Sequence, residues 1–191
     1  MPRKPDPTLK PAIIQKVALH LRDTKLEDVS VRSLGRVLGT SAYPIVYHFG
    51  TRDALVDAVV EHLAESVSTL VLDPEADDHA LTDYLLAVFG GLDDPDRSLA
   101  ARLTFELGAV ESLGGREHER LTHRAHVAAL RAWCRAHGYA VDDAERAARA
   151  AVLTARGAQW AEIIDREQAD TDAVLRVLAR ELSAGVRVCT V

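Results

Sequence analysis

The spacing of apolar residues predicts α-helices along nearly the whole chain. In the first segment, Ile13, Ile14, Val17, Ala18 and Leu21 form a single apolar stripe at helical spacing. No stretch alternates apolar and polar residues for long enough to indicate a strand. We therefore expect an all-α fold of about nine helices.

The first 72 residues predict four helices joined by tight turns. The helices are expected over 9–22, 31–38, 42–49 and 52–72. Their expected N-caps are Thr8, Ser30, Ser41 and Thr51. Gly39 and Gly50 follow the second and third helices, where glycine commonly ends a helix in a left-handed conformation. The turn over 38–42 has the length typical of a helix-turn-helix, although an ordinary helical hairpin would have the same pattern.

Five further helices are expected beyond Pro74, over 77–90, 94–107, 117–137, 142–165 and 171–186. Gly108, Gly114 and Gly115 predict a loop between the second and third of these helices.

The last two predicted helices have distinctive faces. The first of them has a face of small residues, formed by Ala144, Ala147, Ala148, Ala151, Ala155 and Ala158. The second has an apolar seam, formed by Leu175, Leu178, Leu182 and Val186. These two faces predict a dimer interface. The alternative is that both helices complete a monomeric core.

The basic residues are concentrated at the start of the chain. The 191 residues have a net charge of -6, but residues 1–52 alone have nine Lys or Arg and four acidic residues, a balance of +5. The rest of the chain therefore has a balance of -11. All four lysines lie within the first 25 positions, which codon bias toward arginine and alanine does not explain. A basic head on an acidic body indicates that the head binds a polyanion.

The number of cysteines and the hydropathy of the chain indicate where in the cell the protein is located. Two cysteines, Cys134 and Cys189, cannot form a disulfide scaffold and favour a reducing cytosol. No run of 18 apolar residues lacks a charge, and the N-terminal residues show no secretory pattern. We expect a cytoplasmic protein with no membrane span.

The third predicted helix has an unusual outward surface. With Ile45 and Phe49 facing inward, the residues that point outward are Ala42, Tyr43, Pro44, Val46, Tyr47 and His48. Phenol hydroxyls and imidazole nitrogens can bind phosphates or base edges, and alanine, proline and ring edges can contact a thymine methyl. Arg32 and Arg52 flank this surface. The pattern predicts double-stranded DNA as a partner.

Two stretches of this region resemble a known family. Residues 29–41 read VSVRSLGRVLGTS and residues 47–55 read YHFGTRDAL, and both are similar to the N-terminal DNA-binding domain of TetR-family transcriptional regulators. Val46 departs from the family pattern, which usually has a tyrosine at this position. The stretch over 10–60 resembles the family in motif, and the remaining chain only in architecture.

The resemblance implies a three-helix DNA-binding domain over 1–52, a connecting helix over 53–72 and a ligand-binding and dimerisation domain over 73–191. It implies a homodimeric regulator, usually a repressor, that leaves a near-palindromic operator when a small-molecule effector binds the body. Carried over to this sequence, the DNA-contacting residues are Ser30, Arg32, Ser41, Ala42, Tyr43, Pro44, Tyr47, His48, Thr51 and Arg52.

An effector site in the body should be mostly apolar with a few polar groups. Its candidate residues are Tyr84, Phe89, Phe105, Glu106, Trp133, Arg156, Gln159 and Trp160. The alternative interpretation of each aromatic residue is ordinary core packing.

A metal site is a weaker hypothesis. Glu119, His123 and His126 would share one helix face at i, i+4 and i+7, but no HExxH or CxxC motif accompanies them. We interpret this face as solvated, and we predict no metal, cofactor or catalytic residue. The alternative functions are a helical metal-dependent enzyme or small-molecule carrier whose head does not bind DNA, and a protein adaptor anchored by the aromatic helix.

Overall fold

The computed structural model describes residues 8–39, 41, 43–67, 71–114 and 117–188. These residues form helices and turns and include no strand, so the predicted all-α class is confirmed. Contacts divide the chain into two compact units, Met1–Ser66 and Val67–Val191.

Nine α-helices and one 3-10 turn lie within the described residues. The first unit has α1 (Leu9–Leu21), the 3-10 turn (Leu26–Asp28), α2 (Val31–Val37), α3 (Tyr43–Phe49) and α4 (Arg52–Val67). The second has α5 (Asp78–Phe89), α6 (Pro95–Gly114), α7 (His118–Ala136), α8 (Val141–Ile164) and α9 (Thr171–Val188). None of these helices is both long enough and apolar enough to cross a membrane.

Capping hydrogen bonds set where the helices of the first unit begin. The Ser33 N–H donates to Ser30 Oγ at 3.0 Å and the Ser30 N–H donates to Ser33 Oγ at 2.8 Å, which makes a capping box at the start of α2. Thr51 Oγ1 accepts from the Ala54 N–H at 3.1 Å at the start of α4. Thr8 occupies the predicted N-cap position before α1, but its backbone is helical and its side chain makes no capping bond.

The two predicted glycine stops are present in the first unit. Gly39 has φ 67° after α2 and Gly50 has φ 74° after α3, a region in which a side chain would be strained. Buried residues of all four helices form the core, among them Val17, Leu34, Ile45, Leu55 and Val59, each at most 2% exposed. Because α4 contributes to this core, it packs with the first unit as far as Ser66.

The core of the second unit lies between α5, α7, α8 and α9. Trp133, Phe89, Leu85, Leu130 and Leu175 are completely buried there. The Trp133 Nε1–H donates to the Ala76 carbonyl at 2.8 Å, which satisfies the one polar atom of that ring.

The structure corrects the predicted dimer faces of the last two helices. The small-residue face of α8, with Ala144, Ala148, Ala151 and Ala155 at most 1% exposed, is buried in the core of the second unit. Leu175, Leu178 and Leu182 of the α9 seam are buried in the same core. Small side chains let α8 approach its neighbours within the chain, so these buried residues are not available to a second copy. Ala147 and Ala158 of the predicted face are partly buried, and the side chain of Val186 lies outside the part that the structure describes.

The predicted loop at Gly108 is also wrong, because α6 continues through this residue to Gly114. A single glycine weakens a helix by only about 1 kcal/mol, and burial of Leu103 and Leu107 on the same helix outweighs this. Gly115 lies outside the described residues.

The position of Gly108 leads to a stability prediction. Gly108→Ala should raise the free energy of unfolding by about 0.5–1 kcal/mol, because alanine favours the helix and the nearest atom to the added Cβ would be 4.0 Å away. Urea unfolding followed by circular dichroism measures the change. As the matched control, Gly39→Ala should destabilise the protein because of its positive φ. A destabilised Gly108→Ala variant would contradict the helical assignment.

Candidate functional site

The outward surface of α3 is apolar and aromatic, as predicted. Tyr43, Val46 and Tyr47 are 70%, 51% and 57% exposed, whereas Ile45 is completely buried. The Tyr43 and Tyr47 rings stack with their centroids 5.9 Å apart, and the His48 ring meets Tyr47 edge-on at 5.0 Å. Three rings therefore form a continuous surface on a helix of only seven residues.

The residues around this surface differ in how far they are free to contact a partner. Pro44 and His48 are partly buried, and Ala42 lies outside the described residues. The hydroxyl oxygens of Ser30, Ser41 and Thr51 accept backbone hydrogen bonds at the helix starts. These three hydroxyls therefore have structural roles already, whereas Tyr43 and Tyr47 are exposed residues.

Arg52 is placed differently from the expected phosphate contact. Its Nε donates to the Val29 carbonyl at 2.7 Å, its Nη2 donates to the Leu26 carbonyl, and its Nη1 donates to the Asp53 carboxylate at 3.1 Å. The guanidinium thus ties the start of α4 to the segment before α2. The side-chain pattern contains no sign of this, because the acceptors are main-chain carbonyls.

Exposed cations remain next to α3. Arg32 and Arg36 lie on α2 and are both exposed, and neither has an ion pair within the part of the chain that the structure describes. These two side chains can contact phosphate without breaking a bond inside the first unit.

A partly buried polar cluster lies in the second unit and brings together four of the eight predicted effector-site residues. Tyr84 Oη lies 3.1 Å from His126 Nδ1, and the Phe89 and His126 rings meet edge-on at 5.2 Å. The Arg156 Nη1 donates to Gln159 Oε1 at 2.8 Å, and its Cζ lies 5.1 Å from the centre of the Phe89 ring. The Gln159 Nε2 donates to the Phe89 carbonyl at 2.8 Å.

The other four candidates are placed apart from these contacts. Phe105 and Trp160 form an edge-to-face pair at 5.5 Å, and Trp160 is 50% exposed. Glu106 lies 3.5 Å from Arg102 Nε in an ion pair along α6. Trp133 is a core residue, which was the alternative interpretation.

His126 is the residue of this cluster that sequence reasoning missed. Burial, together with electrostatic repulsion from Arg156 and His123, lowers the pKa of His126 to about 4. The interpretation of a solvated face is therefore wrong for this residue. The signal was present, because His126 lies four and seven positions before Leu130 and Trp133 on the apolar stripe of α7.

Glu119 lies near the same cluster. Burial raises the pKa of Glu119, and the charge of Arg156 opposes that shift. Within the described ranges, no three His, Cys, Asp or Glu side chains are grouped so that they could hold a metal ion.

Solved structures share this architecture over nearly the whole chain. SmeT, the repressor of a Stenotrophomonas maltophilia multidrug efflux pump, is 12% identical with a TM-score of 0.71, over 92% of this chain and 89% of that chain. BioQ bound to its DNA operator is 23% identical with a TM-score of 0.52, over 92% and 98%. A TetR variant from Acinetobacter baumannii in complex with minocycline is 19% identical with a TM-score of 0.54, over 97% and 96%.

These similarities define the fold: the chain has the fold of TetR-family transcriptional regulators. No protein-family model matches the chain, and no curated protein matches it in sequence.

The pKa of His126 gives a pH prediction. Its folded-state pKa of about 4 lies below the ordinary 6.5, so the unfolded chain binds a proton first as the pH falls. The free energy of unfolding should therefore keep the full contribution of His126 above pH 6.5 and decrease as the pH falls toward 4. This decrease should be about 1–2 kcal/mol larger in the unchanged protein than in His126→Gln. Urea unfolding at a series of pH values measures this difference.

The matched control for that experiment is His118→Gln, since His118 is an exposed residue of α7, the helix that also carries His126. This variant should keep the pH dependence of the unchanged protein. Equal pH dependence in His126→Gln and the unchanged protein would contradict the burial of a neutral imidazole.

Proposed function

We propose that this protein is a transcriptional regulator of the TetR type that binds double-stranded DNA through α3. The observation that supports this most is the exposed ring surface of Tyr43 and Tyr47 on a helix fixed by the buried Ile45. Such a surface is unfavourable in water and indicates a partner. The basic composition of residues 1–52 favours a polyanion over an apolar protein surface.

The chemistry of α3 matches the major groove of DNA. Phenol hydroxyls can bind phosphates or base edges, and Val46 with the ring edges can contact thymine methyl groups. Arg32 and Arg36 supply phosphate contacts from the neighbouring helix. BioQ, which is similar in fold, has been solved on its operator, and this supports the same use of the head.

A dimer follows from the size of the DNA site. One helix-turn-helix unit contacts half a site, and a two-fold dimer supplies two contacts on a near-palindromic operator. The outward face of α8 offers an apolar surface, since Leu153 and Ile164 are 65% and 62% exposed with Gly157 between them. Val174 and Val177 of α9 are 38% and 44% exposed. We assign the dimer to these outward faces of α8 and α9.

The regulator is proposed to be a repressor that a small molecule releases from DNA. The partly buried cluster of Arg156, Gln159 and His126 would be the effector site, as a few polar groups among apolar ones are typical of small-molecule sites. An effector can bind one arrangement of the dimer more tightly than the arrangement that fits DNA. It then weakens DNA binding by the difference between its two binding free energies, typically about 1–3 kcal/mol. The repressor SmeT and the minocycline complex are similar in fold and support this model.

Selection of bound duplexes from a random pool tests the DNA-binding proposal. A near-palindromic sequence should be enriched, and Tyr47→Ala should weaken binding to it by about 1–3 kcal/mol in a titration at fixed salt. Tyr47→Phe keeps the ring and should lose less. The control is Leu19→Ala, which removes a similarly exposed apolar side chain from α1 and should bind normally. Failure to enrich any sequence would refute the proposal.

Sedimentation velocity tests the dimer. The unchanged protein should sediment as a dimer at micromolar concentration, and Leu153→Glu with Ile164→Glu should make it monomeric, because two buried charges without partners outweigh the apolar contact. The control is Leu113→Glu with Leu121→Glu, at residues that are 91% and 55% exposed on other helices. A dimer that persists in the α8 variant would refute this interface.

A further inference from the structure

The cluster in the second unit contains a positive charge that has no ion-pair partner. Arg156, on α8, makes one hydrogen bond, to Gln159 Oε1, and lies over the Phe89 ring. Arg156 takes part in none of the ion pairs among the described residues, although several exposed arginines do, including Arg149 on the same helix. Among the described residues, most N–H donors of its guanidinium therefore have no acceptor.

None of the neighbouring groups that the structure describes forms an ion pair with this guanidinium. His126 has a pKa of about 4 and is neutral at pH 7, and Tyr84 and Gln159 have no charge. Glu119 is the one nearby acidic group that attracts Arg156, and the two side chains lie outside ion-pair distance of each other. Burial in turn lowers the pKa of Arg156, which indicates that water does not fully solvate the guanidinium.

A charge withdrawn from water without a partner is costly, and proteins normally pair such groups. The guanidinium is a planar fork that matches the two oxygens of a carboxylate, and it remains protonated at physiological pH. A ligand carboxylate would supply the acceptors that the chain does not.

Apolar surface lies one helical turn from the guanidinium. Trp160 follows Arg156 by four positions on α8 and meets Phe105 of α6 edge-to-face at 5.5 Å. Phe105 keeps some exposure to solvent, whereas Trp160 lies between Leu153 and Ile164 on the α8 face that we assign to the dimer. A ligand held at Arg156 can therefore place an apolar part against the Phe105 ring.

We propose that the effector of this protein is a small organic acid, whose carboxylate binds Arg156 and whose apolar part contacts Phe105. This inference rests on the proposed function, because it names the chemical class of the effector for the same body. Tyr84 and His126 position the Phe89 side of the cluster through their mutual hydrogen bond at 3.1 Å.

Matched pairs of acids and amides test the charge requirement on the full-length protein. The probes are hexanoate, benzoate and 3-phenylpropanoate, each compared with its primary amide by calorimetric titration at pH 7 and constant ionic strength. At least one acid should bind at least tenfold more tightly than its amide. Equal binding of acids and amides, or no binding of any of the three acids, overturns the proposal.

Two variants of α8 locate the binding. Arg156→Met should lower the affinity for the acid at least tenfold, whereas Arg149→Met, at an exposed arginine paired with Glu145 at 2.6 Å, should bind normally. Arg156→Lys keeps the charge but loses the fork, and it should bind more weakly than the unchanged protein. If Arg156→Met does not fold, the test relies on Arg156→Lys alone. An unchanged affinity of Arg156→Lys for the acid would then overturn the assignment of Arg156 as the binding residue.

A stability measurement separates ligand binding from a purely structural role of the arginine. Without ligand, Arg156→Met combined with Glu119→Gln should unfold at the same or a higher urea concentration, because uncharged side chains then replace both of the mutually attracting charges. A clear loss of stability would mean that Arg156 serves the fold and would overturn the proposal.

DNA binding is measured independently on the selected duplex. Acid binding at Arg156 in a protein that binds no duplex would refute the regulator and leave this inference standing. A protein that binds its operator but no acid would refute this inference alone.

Discussion

The orientation of α3 depends on the burial of one side chain between two tight turns. A helix of seven residues is not stable by itself in water, so it needs contacts outside its own backbone. Ile45 supplies these contacts by its complete burial, and Gly39 and Gly50 turn the chain sharply before and after the helix. Because Ile45 fixes which face points inward, the two tyrosines must point outward. Their exposure is thus a result of packing.

The periodicity of the sequence was sufficient for the fold class and for most helices, because amphipathic helices and their caps are local features. It could not decide which of two apolar faces of α8 meets the chain's own core. Ala148 and Leu153 both fit an interface, and only the packing of α5, α7 and α9 shows that Ala148 faces inward. The loop predicted at Gly108 was wrong for a related reason. The local propensity of glycine favours a loop, but tertiary contacts maintain the helix there.

The candidate sites were predictable to different degrees. The outward exposure of Tyr43 and Tyr47 followed from the inward position of Ile45 on the same helix, so a local pattern was enough to predict it. The role of Arg52 depends on main-chain carbonyls 23 and 26 residues earlier in the chain, which no side-chain pattern specifies. The meeting of His126 with Tyr84, 42 residues apart, likewise depends on how α5 and α7 pack.

The bonds of Arg52 have a mechanical consequence within the first unit. The guanidinium joins the first turn of α4 to the carbonyls of Leu26 and Val29, immediately before the cap of α2 at Ser30. A displacement of the α4 N-terminus would therefore act on the segment before α2 through this one side chain. The starts of α2 and α4 are thus joined inside the first unit, and a tilt of α4 would strain two hydrogen bonds unless α2 moved with it.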